Sequence, residues 1–131
     1  MSIRRSAPLV LAVVLAGCGN PVHSHYSVKE TAPCLRKLGY SVSTNASKLG
    51  PIEASATEGA LLAKERGNAV TMTFSENSSE AGNVEAAYRR FVSKKLRPHI
   101  DDVMSSQKNA VLLWTITPPK DELDRVLGCL K

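Results

Sequence analysis

The residues with the most distinctive chemistry are a thiol behind two small side chains, a histidine beside two carboxylates, and a knot of cations. Cys18 follows Leu15, Ala16 and Gly17. Two small residues leave the backbone ahead of the thiol free to lie extended, and the thiolate of a cysteine is the nucleophile such a stretch offers. His99 adjoins Asp101 and Asp102, with Ser105 and Ser106 close behind, so a nucleophile, a base and an orienting acid are all present within one short stretch. On a turn of helix His99 and Asp102 share a face while the serines lie partly away, and this spacing argues against a triad. His23 and His25 point the same way on an extended chain, but no third ligand is near them, so no metal site is expected. Arg89, Arg90, Lys94, Lys95 and Arg97 form the cationic cluster, either a solvated helix end that complements the helix dipole or a contact for anionic lipid or polymer.

The context of Cys18 separates it from an incidental cysteine. Arg4 and Arg5 precede an apolar run from Ala7 to Ala16. At about 1.5 Å per residue, a helix of that length covers half of a ~30 Å hydrocarbon core, which suits a signal segment and not a membrane span. The segment from Met1 to Cys18 resembles prokaryotic membrane lipoprotein precursors, with Leu15-Ala16-Gly17-Cys18 in the place of the lipobox. The resemblance implies a diacylglyceryl group on the Cys18 sulfur, cleavage just before it, and a further acyl chain such as palmitate on the new amino terminus. Each buried methylene contributes about 0.8 kcal/mol, so two chains anchor stably where one holds only marginally. The expected location is the extracytoplasmic face of a bacterial membrane, in the cell envelope.

Of the 131 residues, 43% are hydrophobic and 22% charged, values of a soluble globular chain. Loss of Arg4 and Arg5 with the signal leaves 15 basic and 12 acidic residues, a net charge of +3 that makes no case for nucleic acid. Lipidation of Cys18 consumes the odd thiol and leaves Cys34 and Cys129, an expected disulfide in an oxidising compartment. Closing a loop of about a hundred residues is worth roughly 4.7 kcal/mol in the chain-entropy model. The expected organisation is a signal peptide over 1–17, a polar tether over 18–27 and one domain over 28–131.

Elements follow from local patterns. Thr31 with Pro33 and Gly39 predicts a short first helix with Cys34, Leu35 and Leu38 facing inward. Tyr40, Val42 and Thr44 alternate with Ser41 and Ser43 as in a half-buried strand, and 45–56 reads as a surface loop. A hairpin is predicted over 59–75 with Gly67-Asn68 at its tip. Asn77 and Glu80 form a capping box that opens the main helix, with Val84, Ala87, Tyr88, Phe91 and Val92 on its inner side. A short helical turn after Pro98 takes in Ile100, Val103 and Met104. Ala110 to Ile116, apolar on both faces, predicts an interior strand, and Thr117-Pro118-Pro119 opens a last helix with Leu123, Val126, Leu127 and Leu130 as its stripe.

These elements predict an α+β two-layer sandwich, loosely ferredoxin-like. It has a mixed sheet of about four strands, helices on one face, and a strand–helix–strand crossover from the hairpin through the main helix to the apolar strand. Ser41, Ser43, Thr71, Thr73, Val111, Leu113 and Thr115 share the face left open. The chain contains no Gly-Xaa-Ser-Xaa-Gly, Cys-Xaa-Xaa-Cys or His-Glu-Xaa-Xaa-His motif and no phosphate-cradling glycine loop. The expectation is a lipid-anchored, non-catalytic interaction or structural module without a cofactor. Its partners are the membrane and a protein or envelope polymer. The alternatives are a small envelope hydrolase and a carrier of anions or small ligands that uses the basic helix end.

Overall fold

A computed structural model describes residues 25–131. The chain folds as an α+β sandwich around one five-stranded sheet. In order the elements are α1 (Val28–Lys37), β1 (Ser41–Ser43), a 3-10 turn (Ala46–Lys48), α2 (Pro51–Ala54), β2 (Ala60–Glu65), β3 (Asn68–Phe74) and α3 (Ser78–Phe91). After a 3-10 turn (Arg97–His99) come α4 (Ile100–Val103), β4 (Met104–Gln107), β5 (Ala110–Trp114) and α5 (Lys120–Leu127).

The sheet order is β1-β2-β3-β5-β4, and every neighbouring pair is antiparallel. The mixed sheet of about four strands expected from sequence is therefore corrected. Met104 opens a fifth strand instead of closing a helical turn. The chain crosses from β3 through α3 to β4, which runs parallel to β3 but lies one place further out. A two-residue turn at Lys108-Asn109 then returns the chain as β5 between them. Lys108 sits at φ +52°, the left-handed region that side chains other than glycine enter at a cost.

Partners in register share a face, so Leu61, Met72 and Leu112 line one side, with Ala63, Val70 and Trp114 in the next row. All are 0–2% exposed. Thr73 and Val111 lie on the other side and are also fully buried. Helices on one face cannot produce this, and the structure corrects that expectation too. On the first face Leu123 of α5 and Trp114 line one groove, and the Cys34–Cys129 bond ties α1 to the residues just after α5. On the second, α3 packs on β3, β4 and β5 while α2 packs on β2 and α3. The row from Ser41 to Thr115 does share a face, but only its margins, such as Ser41, Ser43 and Thr115, stay exposed.

Several boundaries move for local reasons. α1 begins at Val28, where Ser27 caps it by accepting from Glu30 N (3.2 Å). Thr31 is buried, and its hydroxyl exchanges hydrogen bonds with the backbone of Lys131. The hairpin turns at Arg66-Gly67, Gly67 supplying φ +87°. Asn68 is already in the strand, where its amide holds both the N–H and the C=O of Ile116. Lys120 starts α5, with Pro119 as the residue before its first turn.

The two ends of the folded chain are clasped. Cys34 and Cys129 form a disulfide across 95 residues with Cα atoms 5.4 Å apart, and Ser27 N donates to Lys131 O at 2.6 Å. Asn109, 1% exposed, accepts from Tyr26 N (2.7 Å) and donates to Tyr26 O and Ser75 O (2.9 Å each).

Candidate functional site

The basic cluster is positioned by α3. Asn77 accepts from Glu80 N (2.9 Å), while the Glu80 carboxylate reaches back to Glu76 N and the Thr57 hydroxyl, so the predicted capping box is formed with one residue of offset. Burial of Ala81 and Tyr88 sets the rotation of the helix. Phe91 does not join them. The helix ends there, Val92 turns extended (ψ 153°), and Val92 and Leu96 pack against the core in its place. Phe91 is left 72% exposed, the most exposed large apolar side chain among the described residues.

The five cations lie within eight residues of Phe91 along the chain, at the end of α3 and in the turn after it. Arg90 lies 5.8 Å from the Phe91 centroid, and Arg89 pairs with Asp101 at 2.6 Å. Both members of that pair are exposed, so it is worth less than about 1 kcal/mol. Arg97 donates to Val92 O (3.3 Å), while Lys94 and Lys95 are exposed and make no ion pair among the described residues. None of the five lines any of the grooves described below.

The His99 constellation is not brought together. His99 Nδ1 and Asp102 Oδ2 are 3.7 Å apart, beyond hydrogen-bond range, and both side chains are largely exposed. Ser105 and Ser106 alternate across β4: the Ser105 hydroxyl is buried without a hydrogen-bond partner, and Ser106 lies on the opposite face with Val111. His25 bonds to the carbonyl of Glu76, and His23, like Cys18, lies outside the described residues. Among the described residues no group of three His, Cys, Asp or Glu side chains is placed to hold a metal ion. No helix among them is long and apolar enough to cross a membrane.

Sequence reasoning missed a buried polar link. Glu53, read as part of a surface loop, sits on the single turn of α2, 9% exposed, and accepts from the Tyr88 hydroxyl at 2.8 Å. Burial, then the hydrogen bond and the charge of Glu53, push the Tyr88 phenol far above its ordinary range. The phenol therefore serves as a neutral donor tying α2 to α3. Gly50-Pro51 at the head of a helical turn was the available signal.

Between α2 and α3 lies a groove of about 280 Å³ lined by Ser55, Thr57, Ser75, Glu80 and Asn83 among others. A second, of about 470 Å³, runs between α1 and the start of β2 beside Lys29, Arg36 and Glu58. A third, of about 130 Å³, separates Trp114 from Leu123. In the first groove the Thr57 hydroxyl donates to the Glu80 carboxylate at 3.0 Å. Comparison with protein families, with curated proteins and with solved structures finds no match to this chain.

Proposed function

We propose that this chain is a lipid-anchored protein of the extracytoplasmic face of a bacterial membrane, carrying a small interaction or structural domain that performs no catalysis. The observation that carries the reading is Leu15-Ala16-Gly17-Cys18 behind Arg4-Arg5 and an apolar run too short to span a bilayer. The Cys34–Cys129 bond supports it in two ways. Such bonds persist in oxidising compartments, and the pairing leaves Cys18 as the single cysteine available for another fate. The scattered placement of His99, Asp102, Ser105 and Ser106 favours an interaction module over the hydrolase, and the solvent-splayed Arg90, Lys94 and Lys95 count against the anion carrier.

Intact mass spectrometry of the mature protein tests the anchor. The expected product begins at Cys18 and carries the mass of a diacylglyceryl group, and Cys18→Ala leaves the chain uncleaved or released from the membrane. An unmodified Cys18, or a mature terminus elsewhere, overturns the reading.

A further inference from the structure

The exposed Phe91 and the cations around it define a surface with two demands that few partners meet together. A polyanion satisfies Arg90, Lys94, Lys95 and Arg97 but offers nothing to an aromatic ring 72% exposed beside Arg90 in the same stretch of chain. A protein interface accommodates the ring, but lysine is depleted at the desolvated centre of such interfaces. An anionic bilayer answers both: its headgroups attract the cations, and the boundary between headgroups and acyl chains buries the apolar side chains, phenylalanine included, of basic surface segments. We propose that the C-terminal end of α3 is a membrane-docking surface, with Phe91 inserted at the interface of an anionic leaflet and Arg90, Lys94, Lys95 and Arg97 on its phosphates. Arg89 stays with Asp101 at the rim.

The inference deepens the lipid-anchor reading by assigning the domain an orientation on its membrane. His25 bonds at Glu76, just before the N-terminal end of α3, whereas Phe91 closes the other end. Fourteen residues of helix separate those ends by about 21 Å. Seven residues from Cys18 to His25 reach about 25 Å at full extension. An anchor at Cys18 and an inserted Phe91 can thus reach one leaflet together. The domain would be held at two points and could not swing freely.

The test uses a chain from Gly19 to Lys131, which lacks the lipid site yet keeps the whole described fold, whose sheet, core and disulfide lie within 25–131. Its outcome is therefore independent of whether Cys18 is lipidated. Sedimentation with vesicles of phosphatidylcholine, alone or mixed with phosphatidylglycerol, is expected to show binding to the mixed vesicles only, weakening as salt rises. A basic residue near such a surface is worth about fivefold in partition, so Lys94→Ala/Lys95→Ala should lose roughly 25-fold. Phe91→Ala should lose about tenfold. Ile116→Ala, at an apolar side chain 57% exposed elsewhere on the molecule, should bind as the parent does. Absence of binding, equal binding to both vesicle types, indifference to Phe91→Ala, or retention on an anionic polysaccharide resin without vesicle binding would each overturn the proposal.

Discussion

Replacing Asn109 by Ala removes a side chain that has no solvent contact of consequence and three hydrogen bonds. Two hold the N–H and C=O of Tyr26 and one holds the C=O of Ser75. A made bond contributes about 1 kcal/mol net, and a buried group stranded without its partner costs about 1–3 kcal/mol. Tyr26 is half-buried, so water can satisfy part of what it loses, while the Ser75 carbonyl is enclosed. The expected loss is about 3–5 kcal/mol, a large share of the ~5–15 kcal/mol that holds a domain together. With a urea slope near 1.5 kcal/mol/M, the unfolding midpoint should fall by about 2–3 M under conditions that keep the disulfide intact. Asn109→Asp sharpens the test, because it keeps the acceptor for Tyr26 N but turns the donor into a second acceptor facing two carbonyls. It should destabilise at least as much as Ala at neutral pH and recover partly as acid protonates it. An Ala variant that loses less than about 1 kcal/mol, or an Asp variant milder than Ala, would refute the reading of Asn109 as the clamp of the N-terminal segment.

Breaking the other clasp, by reduction or by Cys34→Ala/Cys129→Ala, should lower the unfolding free energy by about 4 kcal/mol, because the loop it closes holds nearly the whole domain. Guanidinium titrations with and without reductant measure it, and a change below about 1 kcal/mol contradicts that role. Alkaline pH tests the Tyr88 link. The folded state keeps this phenol protonated where the unfolded chain has lost its proton. Stability is therefore full below pH ~10 and falls above it by about 1.4 kcal/mol per pH unit for such a group, with Tyr40 acting in the same direction. Tyr88→Phe should flatten that alkaline slope while lowering stability at neutral pH by about 1–3 kcal/mol, since it strands the Glu53 carboxylate. An unchanged slope refutes the link.

What could be read in the sequence and what could not divides along a physical line. Period and punctuation are local: the alternation of Val70, Met72 and Phe74, the two-faced apolar run of β5 as far as Trp114, the Asn77 cap and the α5 stripe stand where the residues put them, while Ile116, expected inside, is 57% exposed beyond the strand end. β4 was missed because Met-Ser-Ser-Gln has no apolar alternation. Its strand character comes from pairing with β5 across a turn that uses Lys108-Asn109 without a glycine. That omission propagates. With β4 absent, the crossover through α3 lands on β5 and the sheet reads as mixed; with β4 present, β5 reverses and every pair is antiparallel. The same long-range logic governs single side chains. Glu53 reads as loop surface until Tyr88, thirty-five residues on, supplies its donor. Phe91 reads as core until the helix stops beneath it and Val92 and Leu96 take the inward places. An apolar residue at the last turn of a helix is thus the position where helical periodicity says least about burial. Here that end effect leaves an aromatic ring exposed beside Arg90 in the most cationic stretch of the chain, a combination neither the charge count nor the hydrophobic pattern displays on its own.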